Sequence, residues 1–266
     1  MSAPPFAPSA AARWIIGVVL LAVFAIPIAS MVEYSLRDGA GYSLVHWTAL
    51  FDPENAGTYR PIWTGLGNSL LLAAVTVVIV LALVAPTVVL VNLRFPRLRQ
   101  LFEFVVLLPI SIPAIVVVVG LAPIYQSIGR AIGTGVWTLA FAYGITVLPF
   151  AYRAIQASID AVDLRTLSEA SRTLGSGWGT TLLRVIAPNL RPGLLAASLI
   201  SVAVVLGEYT IASILGRQNL QTALVVVGKQ DPWAPVILSL LSLVFAFALL
   251  IVIGRAGRAR SGRTSA

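Results

Sequence analysis

Asn68–Val91 reads NSLLLAAVTVVIVLALVAPTVVLV, 24 residues without a charged side chain, inside a longer uncharged interval bounded by Arg60 and Arg94. A helix rises about 1.5 Å per residue, so about 20 apolar residues match the hydrocarbon thickness of a bilayer. The polar–apolar alternation of a membrane-barrel strand is missing. A segment isolated in lipid must satisfy its own backbone hydrogen bonds, so this run reads as a spanning helix.

Working outward, five more stretches are predominantly apolar: Trp14–Met31, Phe102–Ile124 (interrupted by Pro109 and Pro113, with Glu103 at its start), Gly135–Tyr152, Gly193–Leu215 (containing Glu208) and Pro235–Gly254. Composition agrees, with 58% of residues hydrophobic and 11% charged, about half the charged fraction of a soluble domain. The first run follows Arg13 and continues through Pro27 to Glu33. It exceeds the 7–15 residues or so of a cleaved signal core, and we read it as a retained span. The expectation is an all-α integral membrane protein with six transmembrane helices.

The formal net charge is +8, and 17 of the 18 basic residues are Arg. They cluster at the ends of apolar runs rather than on a polar face, which argues against nucleic acid. With the N-terminus in the cytoplasm, 13 basic residues fall inside: Arg13, Arg94, Arg97, Arg99, Arg153, Arg165, Arg172, Arg184, Arg191 and the four of the tail. The outer side receives five: Arg37, Arg60, Arg130, Arg217 and Lys229. This asymmetry predicts cytoplasmic N and C termini. The first external segment, about Glu33–Gly67, is mildly acidic and carries Trp47 and Trp63, aromatics of the interfacial kind. The tail from Arg255 to Arg263 reads as positive-inside charge in contact with anionic lipid.

Catalytic and metal chemistry is sparse. There is no Cys and one His, His46, which removes disulfides and multi-histidine metal sites. The sole lysine, Lys229, follows Gly228 but precedes Gln230, and position 223 is Ala, so no phosphate-cradling loop is present. There is no G-x-S-x-G elbow. We expect no catalytic residue, no metal and no cofactor bound by this chain.

The longest cytoplasmic loop runs from Arg153 to Arg191. Leu164, Leu167, Ala170, Ser171 and Leu174 recur at helical spacing, and Gly175 suits a helix C-terminus. A second helical stretch, Trp178–Ile186, is expected to end at Pro188. An amphipathic helix facing the cytosol either lies in a partner's groove or rests on the membrane surface. Composition and spacing leave both open.

Glu169-Ala170-Ser171, three residues, Gly175, nine residues, then Val185-Ile186-Ala187-Pro188 resembles the EAA signature of permease subunits in binding-protein-dependent ABC importers. The departures are Ser171 for Ala, Val185 for Ile and Ala187 for Leu. The resemblance implies the type I importer permease (MetI-like) fold. It divides the chain into 1–65 (tail, first helix and external loop), 66–254 (permease domain of five helices with the coupling loop at 153–191) and 255–266 (basic tail). It implies a coupling helix docked on an ATPase through Glu169, Ala170 and Gly175, with Ser171 at the place of the signature's second alanine, to which helix-face reasoning adds Arg172 and Leu174. The implied partners are a second, different permease chain, two ATPase subunits carrying ATP and Mg²⁺, an extracytoplasmic substrate-binding protein and membrane lipid. The implied place is a bacterial inner membrane.

Glu208 is the one acid expected deep in a span, about 22 Å from the cytosolic end of the fifth helix. An acid there is costly and faces protein or water. It reads either as a pathway acid favouring a cationic substrate or as a partner of Arg217 or Arg130. Leu206–Leu215, including Tyr209, looks like the matching stretch of the spermidine/putrescine permease subfamily, which implies a small polar solute such as a polyamine. Two other classes compete: a secondary transporter driven by an ion gradient, and a membrane assembly protein without a transport path.

Overall fold

The computed structural model describes residues 9–39 and 41–261, with side chains placed for all of these except Ala10, Ala246 and residues 249–261. Nearly all of the described chain is helical. α1 spans Ala10–Leu36, β1 (Arg37–Asp38) and β2 (Gly41–Tyr42) pair antiparallel, and α2 spans Val45–Ala49. α3 (Ala56–Ile79) continues through a π-wound turn, Val80–Val84, into α4 (Ala85–Arg94). Then come α5 (Arg99–Ser111), α6 (Ala114–Ile132), α7 (Ala140–Asp160), α8 (Leu164–Thr173) and α9 (Trp178–Thr180). A second π-wound turn, Thr181–Ile186, leads to α10 (Ala187–Asn189), followed by α11 (Arg191–Gly207), α12 (Thr210–Ile214), α13 (Leu220–Val227) and α14 (Trp233–Ser261).

Among the described residues four helices are long and apolar enough to cross a membrane, or five if the bent pair Trp178–Asn189 and Arg191–Gly207 is one span. The six expected spans therefore need correction at particular places. The third is not one helix: Ile112 is extended and Pro113 opens α6. A proline ring disfavours helical geometry in the residue before it, so the interruption lies where Pro113 puts it. The fourth runs past Tyr152 to Asp160. Its polar extension is helical because its side chains find partners: Arg153 with Glu103 at 3.1 Å, Gln156 with Asn92 at 2.9 Å, and Asp160 with Arg99 at 3.0 Å. The fifth stops at Gly207 rather than Leu215. For the sixth, the apolar helical part with placed side chains covers Trp233–Phe245. The side chains of the basic tail expected at 255–266 lie outside the described residues.

Two compact units emerge, Pro61–Ala223 and a second made of the residues through Arg60 with those from Leu224 onward. Within the second unit α1 pairs with α14. In that unit His46 stacks on Trp233 at 4.0 Å between ring centroids, and the Tyr59 hydroxyl donates to Asp231 at 2.7 Å. Trp14 remains 75% exposed, and its apolar neighbours Ile15, Ile16 and Val18 are exposed as well. Such a surface has lipid for its solvent.

The larger unit is built around α7, where Tyr143, Val147, Tyr152 and Ile155 are fully buried. Its main neighbour is α11, which buries Gly193, Ala197, Ser201 and Val205, one residue per turn. Small residues at that spacing let two backbones approach closely, the usual source of helix pairing where lipid is as apolar as leucine. The approach is tightest at Gly193, where an added Cβ would stand 2.5 Å from Ser158 Cβ and 2.8 Å from the Ala154 carbonyl oxygen. Both π-wound turns end two residues before a proline, Pro86 and Pro188. Widening the turn relieves the clash of the ring with the preceding carbonyl and accommodates the missing N–H.

Gly193→Ala is expected to push α7 and α11 apart and to cost about 1–3 kcal/mol. The check is thermal unfolding of the detergent-solubilised chain, where the midpoint falls for Gly193→Ala and stays unchanged for Gly179→Ala, at which an added Cβ meets nothing within 4 Å.

Candidate functional site

The 153–191 segment begins with α7 still helical and turns at Asp163. The Asp163 carboxylate caps α8, accepting from the Thr166 backbone N–H at 3.1 Å and the Thr166 hydroxyl at 2.7 Å. These two donors hold the exposed Asp163 carboxyl below the usual aspartate range, the hydroxyl contributing most. α8 buries Leu164, Ser168 and Ser171 against its own chain. Its other face carries Arg165, Glu169, Ala170 and Arg172, all exposed, and ends at Leu174, which is 87% exposed.

The expected apolar stripe is thus divided. Leu164 turns inward, whereas Ala170 and Leu174 turn outward, and Ser168 takes a buried position that its polarity concealed. Ser171 also faces in: its hydroxyl pairs with that of Thr181 at 3.0 Å, tying α8 to the helical segment that follows. At the end of α8 the Gly175 N–H donates to the Arg172 carbonyl at 3.0 Å and the Ser176 N–H to the Ser171 carbonyl at 3.2 Å. This paired closure requires a left-handed residue, and Gly175 supplies it with φ of +82°.

The second helical stretch does not stop at Ile186. It runs to Asn189 with Pro188 inside it, and the chain bends by 80° into α11. The Asn189 amide donates to the Val185 carbonyl at 2.7 Å near the bend. The loop is therefore a rigid elbow joined at one end to α7 and at the other to α11, the two most closely packed helices of the unit.

At the far end of α11 lies Glu208. It is not inside a helix but at a break, with φ of −84° and ψ of 124°. Its carboxylate caps the next helix, both oxygens lying 3.1 Å from the Ile211 N–H. Among the described residues it forms no ion pair with Arg217, Arg130 or any other cation within 4.0 Å. Glu208 is half-buried and Tyr209, beside it, is 42% exposed.

Asn219, which the sequence reading passed over, holds this break in shape. Its amide donates to the Glu208 carbonyl at 2.6 Å and to the Tyr143 hydroxyl at 3.2 Å, and its oxygen accepts from the Thr222 N–H at 2.9 Å. Gln221 donates to the Leu206 carbonyl at 2.9 Å, and the Ser69 hydroxyl accepts from the Leu220 N–H at 2.9 Å. The signal was present as Asn219-x-x-Thr222 after Gly216, a helix-start pattern. It was hidden by the assumption of a single span through Leu215. Among the described residues no three His, Cys, Asp or Glu side chains converge to hold a metal ion.

Residues 88–261 match the family described as the binding-protein-dependent transport system inner membrane component. The chain belongs to this family. It is a multi-pass membrane protein and a transport-system permease component. It is 25% identical over 206 residues to the spermidine/putrescine transport system permease protein PotB of Haemophilus influenzae, covering 70% of this chain and 69% of that one. A probable ABC transporter permease protein, y4fN of Sinorhizobium fredii, is 24% identical over 92% of this chain and 45% of its own length. The molybdenum transport system permease protein ModB of Azotobacter vinelandii is 30% identical over 54% of this chain and 69% of its own. The family region contains both the α8 elbow and the Glu208 break. The two competing classes raised from the sequence, a gradient-driven transporter and an assembly protein, do not describe this family.

The capping geometry gives the elbow a pH dependence. Because the folded carboxyl lies below its ordinary value of about 3.9, the ionised cap contributes fully above that value and is lost as pH falls through the lowered one. Asp163→Ala is expected to speed amide exchange at Thr166 at pH 7, with the gap to the unaltered protein closing below pH of about 4. A gap independent of pH refutes the assignment.

Proposed function

We propose that the chain is the permease subunit of an ATP-driven importer in a bacterial inner membrane, forming half of the solute path beside a second permease. ATP and Mg²⁺ belong to two separate ATPase subunits, which grip α8. An extracytoplasmic binding protein delivers the solute. The observation that carries this reading is the two-sidedness of α8: Leu164, Ser168 and Ser171 anchor it to its own chain, and Glu169, Ala170, Arg172 and Leu174 stand free. Ala170 is small enough for a partner to approach closely, and Leu174 offers it a large apolar contact.

The mechanical consequence follows from the elbow. When the ATPases close, they displace α8 as a rigid body, since its inner face and the Ser171–Thr181 bond leave it little freedom. The displacement reaches α7 through the Asp163 turn and α11 through the bend at Leu190. These helices share the small-residue seam, so they move together, and the break at Glu208 lies at the far end of that movement. Alternating exposure of the path is the functional result.

Ala170→Trp is expected to lower recovery of the ATPase subunits with the tagged, solubilised complex by at least about tenfold, a loss near 1.4 kcal/mol, with the permease still inserted. Ala170 is a cleaner position for this than Gly175, where any side chain also strains the backbone. Undiminished recovery argues against docking at α8.

For the solute, the half-buried Glu208, which among the described residues caps Ile211 but has no cationic partner, favours a cation, and this supports a small polar solute such as a polyamine. Glu208→Gln keeps an oxygen to cap Ile211 and removes the charge. Uptake of radiolabelled spermidine in cells carrying the complete transporter is expected to fall at least fivefold with complex assembly preserved. Equal uptake by the two proteins eliminates the cationic solute.

A further inference from the structure

We propose that a cavity between the C-terminal half of α6 and the end of α12 is a binding site for an oxyanion of the phosphate class, distinct from the Glu208 break and from α8. The cavity measures about 590 Å³ and is lined in part by Tyr125, Gln126, Arg130, Thr134 and Arg217. That volume exceeds what one inorganic phosphate needs and accommodates a phosphodiester headgroup.

Two guanidinium groups share this space, and among the described residues neither pairs with a carboxylate. Among the described residues Arg130 reaches only the Ser127 hydroxyl, at 3.4 Å. Arg217 is more constrained: its Nε is shielded from solvent and has no hydrogen-bond partner among them. A shielded donor on a permanently charged group calls for an acceptor, and a planar guanidinium matches the oxygens of phosphate two at a time. The backbone presents Arg217 deliberately, for it follows Gly216, whose φ of +63° closes α12 by the same paired motif as Gly175. The Tyr125 hydroxyl is already committed to the Thr138 carbonyl and the Ala142 N–H, so it forms a fixed wall rather than a competing acceptor.

The plain alternative is that both arginines only offset helix C-termini. Each helix end carries about half a negative charge at most, and less in a helix as short as α12. Two such ends balance about one guanidinium, and the cavity keeps a net positive charge. Moreover, in the orientation expected from the arginine count both residues lie on the outer side, where basic residues are otherwise sparse in this chain. Gln126 and Thr134 add neutral hydrogen-bonding groups at the cavity wall.

The test uses the full chain in nanodiscs of phosphatidylcholine, with and without phosphatidylglycerol. Inorganic phosphate is titrated against chloride at matched ionic strength, and the thermal midpoint is read by tryptophan fluorescence. A saturable rise with phosphate in phosphatidylcholine discs supports the site with a free anion as occupant. A rise with phosphatidylglycerol mole fraction that removes the phosphate response supports it with a lipid headgroup as occupant. Arg130→Gln with Arg217→Gln is expected to weaken half-saturation at least fivefold. Arg130→Lys and Arg217→Lys keep the charge, protect folding, and are expected to weaken it severalfold. No response to either ligand in the unaltered protein overturns the proposal, as does half-saturation within twofold of it in every folded variant.

Discussion

Backbone polar groups inside a bilayer have no water to turn to, and each must be satisfied by the protein. The described structure obeys this constraint simply wherever a helix is continuous. At Gly207 the helix stops, and local side chains take over. Asn219 and Gln221 supply the Glu208 and Leu206 carbonyls, and Glu208 itself supplies the Ile211 N–H. A buried unsatisfied group costs about 1–3 kcal/mol, so this small set of polar residues decides whether a break can exist there. The break in turn brings Glu208 and Tyr209 out of regular helix and places Arg217 beyond a left-handed glycine. The placing of these side chains and the satisfaction of the backbone are the same problem at this point of the fold.

A second constraint is proximity. Lipid gives no hydrophobic reward for helix pairing, so α7 and α11 meet through small residues. Gly193 against Ser158 and Ala154 is the closest approach, and Gly65 repeats the device near the break, where an added Cβ would stand 2.6 Å from the Asn219 carbonyl oxygen. Two glycines, at opposite ends of the segment from Arg191 to Asn219, thus fix it to α7 and α3. The prolines work differently. Pro113 ends a helix, whereas Pro86 and Pro188 are absorbed by π-wound turns that keep the helix going. Position relative to a widened turn, rather than the residue type, decides which outcome occurs.

Reading the sequence located most apolar helices because long uncharged runs are a strong signal in lipid. It misplaced their ends for identifiable reasons. Arg153 and Asp160 looked like loop residues, since a charge normally ends a span. Their pairing with Glu103 and Arg99 lets α7 continue. Phe102–Ile124 looked like one span because its hydropathy is continuous, while Pro113 acts through backbone sterics that hydropathy does not sense. In the elbow, helical periodicity identified α8 and Gly175, yet it put Leu164 and Ser171, which are buried, on one stripe with Ala170 and Leu174, which are exposed. A stripe computed from apolarity cannot distinguish a face buried on its own chain from a face kept free for another. The serines resolve this, since Ser168 and Ser171 are buried and the larger Leu174 is not.

Ser171 also bears on how the two arms of the elbow are held together. Where the related signature has alanine, this chain has a hydroxyl, and that hydroxyl bonds to Thr181. An alanine at this position would leave α8 and the following helical segment joined by packing and by the Gly175 turn alone. With the bond, the two arms are also joined by a buried polar contact just ahead of the π-wound turn. Rotation of α8 against the following segment would have to break this contact, a net cost of about 0.5–1.5 kcal/mol.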